Sequence, residues 1–420
     1  MSDLSTYYRK GFGLRAEVQG DLAADYEGQL VTLLRERDYT LTVGDVTVRL
    51  AREFGFCYGV ERAVEYAYQT RRKFPDRRLF LVGEIIHNPH VNARLTEMGI
   101  QILLPRDGAF DFAALVPDDV VILPAFGVTI HDFERLRTIG CVLVDTTCGS
   151  VLNVWKRVES YARDGFTALI HGKHYHEETR ATASQVLKYS EGRYLVVRDM
   201  EEARVVCDFI EGKGDRDAFL ARFARAVSPG FDPDLHLGRI GVANQTTMLA
   251  RESLAIGEEV GRAIERARGA EARECDFRTF DTICSATQER QDAVRELLGE
   301  PLDVMIVIGG YNSSNTISLA ALCAERVTTY HVETASAIEP ETRSVRYRPA
   351  GKRHSEAVAT DWLPDSKPIR VGLTAGASTP NNKIGEAVAR IFATRGVDLG
   401  NAISDQLSAI RSKDGGPAGR

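Results

Sequence analysis

The stretch from Asp145 to Thr182 reads DTTCGSVLNVWKRVESYARDGFTALIHGKHYHEETRAT, and it carries a cysteine, a helix, a strand and a polar loop in one continuous unit. After Cys148, apolar residues at Val151, Val154, Trp155, Val158 and Tyr161 follow the three-and-four spacing of a helix with one buried face. Asp164 and Gly165 stop it. Phe166 to Ile170 is a short apolar run between turn signals, the pattern of a strand buried in a parallel sheet. The loop that leaves it, His171 to Thr182, holds three histidines and the pair Glu177 and Glu178.

The same unit occurs twice more. Cys57 opens CYGVERAVEYAYQTRRKF, a helical pattern through Val60, Val64, Ala67 and Tyr68, followed by the strand Leu79 to Val82 and a loop with His87. Cys284 opens CSATQERQDAVRELL, followed by the strand Val304 to Ile308 and the loop Asn312, Ser313, Ser314 and Asn315. The interval from cysteine to polar loop residue is 30 for Cys57 to His87, 28 for Cys148 to His176 and 29 for Cys284 to Ser313. Chance does not readily give three matched intervals. They predict three copies of a cysteine, helix, strand and binding-loop module, each about the length of a βαβ half-unit. The expected fold class is α/β, with small parallel sheets flanked by helices. Ligands bind beyond the carboxyl ends of such strands, so the polar loops are the expected binding residues. The division that follows is an extension over residues 1–45, a first module over 46–147 with Cys57, a second over 148–280 with Cys148, a third over 281–385 with Cys284, and a C-terminal helix with a disordered tail over 386–420.

Composition agrees with this division. A chain of 420 residues suggests roughly three domains, and 44% hydrophobic content suffices for packed cores. The net charge of −6 gives no basic footprint for nucleic acid, and no run of about 18 apolar residues exists to cross a bilayer. The opening MSDLSTYYRKGFG lacks the apolar core of a secretory signal, so the expectation is a soluble, cytoplasmic protein. Seven cysteines, an odd number in a long chain, point to a reducing compartment and to ligand or structural thiols over a disulfide framework.

In chain order, residues 1–45 are a charged lead-in with a helical patch around Tyr26 to Arg35. Thr47 to Leu50 reads as a strand feeding GFCYGV, Val120 to Leu123 as a strand running into PAFGV, and Cys141 to Val144 as the strand that delivers Cys148. Tyr194 to Val197 and Arg239 to Val242 are further strands, the latter ending in ANQTT, with a helical segment DAFLARFARAV between them. Thr342 to Asp365 is a polar, Arg-rich interruption of the third module, which resumes in the strand Ile369 to Leu373 ending in TAGAST. The tail from Lys413, KDGGPAGR, is expected to be disordered.

Three cysteines from three modules would supply three thiolates and leave one position open. That suits a catalytic zinc or a cubane of four irons and four sulfides with one iron free, and the spacing leaves both open. Cys141, Cys207, Cys275 and Cys323 do not precede a module helix and read as small hydrophobes. His87, His176, Thr247, Ser313, Ser314, Asn315 and Ser378 are neutral or switchable donors at strand ends, and Gly376 and Ala377 would let backbone N–H groups approach phosphate oxygens. Together they read as a diphosphate pocket built without a Walker motif. His90, His131, His236, His331 and His354 read as surface or core residues, while His171 and His174 stay undecided. Glu178, with the Gln245 to Thr247 loop as helper, is the candidate proton donor, in preference to Glu177.

FGFCYGVERA, EIIHNPHV, VDTTCGSV, HEETRAT, ANQTTM, TICSATQERQDAV, YNSSN and TAGAST together resemble the 4-hydroxy-3-methylbut-2-enyl diphosphate reductases, the LytB family. YYRKGFG, VGDVT, PAFG and the long insert are similar to the longer plant and cyanobacterial members. The resemblance implies three pseudo-symmetric α/β domains around a central [4Fe-4S] cluster held by Cys57, Cys148 and Cys284, with one iron open. It implies diphosphate binding by His87, His176, Ser313, Ser314, Asn315 and Ser378, and contact of Thr246 and Glu178 with the substrate hydroxyl, Glu178 serving in the proton relay. The implied activity is the reductive dehydroxylation that ends the non-mevalonate pathway and yields isopentenyl and dimethylallyl diphosphate, with ferredoxin or flavodoxin as electron donor. Two positions depart from the pattern: Phe126 stands where many bacterial members have a histidine, and Gly149 follows Cys148 where a proline is usual.

Two alternatives have different consequences. Quinolinate synthase, a cluster lyase, resembles the plan of three domains each giving one cysteine, but not these loops. A non-catalytic iron–sulfur sensor would need neither a diphosphate pocket nor a buried acid.

Overall fold

The structure, a computed structural model, describes residues 6–400 apart from 107, 281, 353 and 354. His354 and the tail from Lys413 therefore lie outside the described residues. The expected runs of apolar residues form strands because they bury in sheet interiors, LFLV, VVIL and VMIVI along their whole length. Three largely parallel sheets result. The first contains β1 (Tyr7–Tyr8), β4 (Leu79–Val82), β5 (Ile100–Leu103), β6 (Val120–Leu123) and β7 (Val142–Asp145), in the order β1-β7-β6-β4-β5. The second contains β8 (Thr167–His171), β9 (Tyr194–Val197), β10 (Ile240–Asn244) and β11 (Phe277–Thr279), in the order β11-β10-β8-β9. The third contains β2 (Thr40–Val43), β3 (Val46–Leu50), β12 (Val304–Ile308), β13 (Thr329–Val332) and β17 (Ile369–Ala375), in the order β13-β12-β17-β3-β2. Within the third sheet β2 runs antiparallel, as a hairpin on β3.

Each sheet has the same internal order. A strand that feeds a cysteine (β7, β11 or β3) pairs with β6, β10 or β17, which pairs with β4, β8 or β12, which pairs with β5, β9 or β13. The repeat therefore extends from the sequence interval into the strand pairing.

The chain divides into two compact units, one of Met1–Gln19 with Tyr58–Gln288 and one of Gly20–Cys57 with Glu289–Arg420. The first holds the first and second sheets and the second holds the third. The boundary at residue 46 shifts accordingly: β3 pairs with β17, Val46 opposite Ile369, and so belongs to the third sheet. A cysteine-to-loop interval is a local quantity, whereas the partner of a parallel strand is chosen by burial far along the chain. The extension is likewise divided. β1 adds an edge to the first sheet beside β7, and the helix Gln29–Glu36 buries Val31, Leu33 and Leu34 in the core of the third.

The Arg-rich insert has more structure than its composition suggests. β15 (Ser344–Tyr347) pairs antiparallel with β14 (Ile338–Glu339) and β16 (Ala357–Thr360), and Trp362 and Leu363 bury in the third sheet's core. In the second sheet, Val154, Val158 and Tyr161 of the helix Gly149–Arg163 pack on Leu169, Ile170 and Val242, as the spacing predicts, while Trp155 is half-buried and donates its indole N–H to Thr182 Oγ1 at 3.1 Å. Among the described residues no helix is long and apolar enough to cross a membrane.

Candidate active site

The loops past β4, β6, β8 and β10 lie in the first unit, and three of them meet around two imidazole rings. His87 follows β4 and is buried; its Nδ1 is 2.7 Å from Glu84 Oε2, and its Nε2 is 3.5 Å from Glu177 Oε2. Burial works against charge on this ring, but the nearby Glu177 carboxylate and the hydrogen bond to Glu84 hold the imidazolium and raise its pKa to about 9. Phe126, past β6, stacks on His87 with centroids 4.4 Å apart at 22°. His176, past β8, stands edge-on to both rings, at 5.1 Å from His87 and 5.7 Å from Phe126.

His176 is also the N-cap of the helix Glu177–Gln185, its Nδ1 accepting the Glu178 N–H at 3.2 Å. Burial first, and then the neighbouring charge on His87, bring its pKa down to about 3, so the ring is neutral. With Nδ1 accepting, the hydrogen lies on Nε2, and the ring offers a donor. His87, His176 and Glu177 place ligand atoms within 4.8 Å of one another, a spacing a metal ion could use. The committed lone pair on His176 argues for an anion there instead.

Glu178 is 2% exposed. Burial pushes its pKa up to about 6 against the Thr246 N–H, which donates to Oε1 at 2.7 Å. Gln245, also buried, organises the loop past β10: its Oε1 accepts from the Thr179 hydroxyl at 3.1 Å and the Lys173 N–H at 3.2 Å, and its Nε2 donates to Thr247 Oγ1 at 2.9 Å. Thr247 is thus tied within its own loop, and it is Thr246 that meets Glu178. His171 is structural, buried with Nδ1 2.8 Å from Ser253 Oγ and its pKa lowered by burial to about 4; His174 is exposed.

In the second unit, the loop past β12 caps the helix Ser314–Ala324 through Ser313, whose hydroxyl accepts the Thr316 N–H at 3.3 Å. Ser313, Ser314, Asn315 and Ser378 are all buried. Asn315 Oδ1 accepts the Ala377 N–H at 2.9 Å, joining the β12 loop to the β17 loop, and Asn315 Nδ2 is a buried donor with no hydrogen-bond partner among the described residues. A Cβ on Gly376 would lie 1.9 Å from Thr316 Oγ1, so only glycine lets these loops approach. A buried donor at a helix N-terminus is suited to an anion.

The three candidate cysteines occupy equivalent places. Each donates its backbone N–H to the residue two past the strand beside its own: Cys57 to Ala377 O at 3.2 Å, Cys148 to Ala125 O at 3.0 Å and Cys284 to Thr246 O at 3.3 Å. All three are half-buried. By contrast Cys141, Cys207 and Cys323 are buried, which pushes their thiols up to about 11, 12 and 12. Cys275 is exposed rather than a core residue.

Residues 48–392 match the model of a family described as LytB protein. The chain belongs to the LytB family. The similar proteins include 4-hydroxy-3-methylbut-2-enyl diphosphate reductase of Thermosynechococcus vestitus, 48% identical over 392 residues that cover 93% of this chain and 95% of that one. The protein of the same name from Gloeobacter violaceus is 47% identical over 420 residues, 98% of each chain. A solved structure, the E-1-hydroxy-2-methyl-but-2-enyl-4-diphosphate reductase from Plasmodium falciparum, is similar in fold with a TM-score of 0.60 at 19% identity, over 82% of this chain and 87% of that one.

Within this LytB chain, Phe126 supports His87 by stacking on its ring. Replacing it should cost stacking of about 0.5 to 1.5 kcal/mol. Phe126→Leu is therefore expected to weaken substrate binding by no more than about tenfold. His176→Ala removes a buried donor worth about 1.5 to 3 kcal/mol toward a charged ligand and unties the cap over Glu178, so its loss should be larger. Substrate dissociation constants for the two variants check this; equal weakening would make the phenyl ring part of the binding surface.

Proposed function

We propose that the chain reduces 4-hydroxy-3-methylbut-2-enyl diphosphate to isopentenyl and dimethylallyl diphosphate, the last step of the non-mevalonate isoprenoid pathway. The allylic C–O bond breaks, the oxygen takes a proton and leaves as water, and the carbon skeleton takes two electrons and one proton. The observation that carries this reading is Glu178, a buried carboxyl whose pKa is raised to about 6, two residues from an imidazole fixed as a donor. A non-catalytic sensor has no use for such an acid.

In this reading His87 and His176 bind diphosphate oxygens, the first as a cation and the second as a neutral donor. Ser313, Ser314, Asn315 and Ser378 supply hydroxyl and amide donors at the start of the helix Ser314–Ala324. Glu178 and Thr246 meet the substrate hydroxyl, and Glu178 gives the proton that turns the leaving oxygen into water. Cys57, Cys148 and Cys284 fit a [4Fe-4S] cluster, since three half-buried thiols in equivalent backbone settings make a soft, three-ligand donor set. When bound, the cluster supplies the two electrons, drawn from ferredoxin or flavodoxin. Reduced thiols require a reducing compartment, and we place the enzyme in the cytoplasm.

The experiment is turnover of the diphosphate substrate by anaerobically purified, reduced protein, with both five-carbon diphosphates expected as products. A fully loaded, reducible cluster that leaves the substrate untouched would overturn the assignment.

A further inference from the structure

The threefold repeat is broken in one place. Each cysteine is followed by a helix whose first turns face the loop leading to another of the three cysteines. On the Cys57 helix, Tyr58–Lys73, Arg62 reaches the loop before Cys148: Nη1 donates to Thr147 O at 3.2 Å and Nη2 to Arg9 O at 3.0 Å. On the Cys284 helix, Ser285–Leu297, Arg290 is 3% exposed and Nη2 donates to Gly55 O at 2.7 Å, in the loop before Cys57. Arg62 is five residues after its cysteine and Arg290 six. The corresponding positions after Cys148 are Asn153 and Val154. At this third junction the helix Gly149–Arg163, together with Phe280, Thr282, Ile283, Cys284 and Ser285, borders an open cleft of about 630 Å³, with Cys284 in its wall. Arg157, one turn further along, turns its guanidinium over the ring of Phe280 at 3.6 Å.

The rim of this cleft has a definite chemistry. Lys156 and Arg157 are exposed, and Phe280 is 44% exposed between the arginine and the loop that carries Cys284. An apolar ring framed by cations is the anatomy of a contact surface for a protein of opposite charge. The protein as a whole carries −6, so these cations are local and not part of a general positive surface. Reductive dehydroxylation consumes two electrons per turnover, and the chain has no nucleotide-binding fingerprint of its own to supply them.

Resting on the proposed activity, we infer that this cleft is where an acidic single-electron carrier protein docks, delivering one electron at a time through the Cys284 side of the cluster. Two carrier molecules are oxidised, each by one electron, for each substrate reduced. The arginines that bridge the other two junctions have no counterpart here, and this junction has a cysteine ligand in the wall of its cleft.

The test uses the cluster-loaded holoenzyme and follows cluster reduction by stopped-flow absorbance, with no substrate needed. The donors are a reduced acidic ferredoxin and, separately, reduced methyl viologen. Lys156→Glu with Arg157→Glu should slow reduction by ferredoxin about tenfold or more at low salt and flatten its dependence on ionic strength, while viologen reduces variant and wild type at equal rates. Lys213→Glu with Arg222→Glu makes the same change in net charge at exposed residues that do not line the cleft, and should leave both rates unchanged. Equal slowing with both donors, or unchanged rates with both, overturns the docking site. Viologen-driven turnover of wild type tests the activity alone, so failure of that reading is seen separately.

Discussion

Cys57→Ser, Cys148→Ser and Cys284→Ser are each expected to yield protein without a full complement of iron and sulfide after anaerobic purification. A serine hydroxyl keeps the size of the thiol and loses the soft anion that holds iron. The same change at Cys141, Cys207 or Cys323 has a different consequence, because those thiols are buried among apolar side chains and are pushed up to about 11 or 12. Burying a hydroxyl there costs about 1 to 3 kcal/mol, so the melting temperature should fall while iron and sulfide stay near wild type. Cys323 is the sharpest control, fully buried beside Met305, Val307 and Leu319. A Cys57→Ser protein carrying a full, active cluster would defeat the ligand assignment, and loss of cluster in Cys323→Ser at unchanged stability would defeat the contrast.

What could be read from the sequence was local. The apolar face Val154, Val158 and Tyr161, the strand runs at β4, β6, β9 and β12, and the interval from cysteine to polar loop depend on neighbours within about thirty residues. Strand partners do not, which is why β3 was readable as a strand but not as a member of the third sheet. The antiparallel pair β15 and β16 was hidden because SVRY and AVAT are only four residues each and stand in a charged, Arg-rich stretch. In the candidate site, histidines, serines and Glu178 were legible because their chemistry is scarce and their positions recur. Glu84, which orients His87, had no mark in the sequence beyond its distance of three residues. Arg62 and Arg290 were invisible for a stricter reason: they grip backbone carbonyls, and any residue type can present one. Glu177 was read as the less important of its pair, yet its carboxylate is 3.5 Å from His87 Nε2 and helps keep that ring charged.

The difference between those two glutamates gives the second large effect. Glu178→Gln keeps the shape of the side chain, and its amide oxygen can still accept the Thr246 N–H that now bonds Oε1 at 2.7 Å. It has no acidic proton, so turnover should fall by about 10² or more with the substrate dissociation constant nearly unchanged. The pH profile separates this from a packing defect. A proton donor must hold its proton, which Glu178 does below about pH 6 and loses above it, so wild-type kcat/KM should decline as pH rises through that value and the decline should be absent in the variant. Glu177→Gln acts through binding. Its side chain is half exposed, and replacing it removes one of the two carboxylates that raise His87 to about 9. Glu84 remains at 2.7 Å, so the ring stays partly supported and KM should rise while kcat stays near wild type. Steady-state kinetics of the two variants across pH decide the matter: matching losses of kcat in both would mean that the buried carboxyl at Glu178 is not the donor.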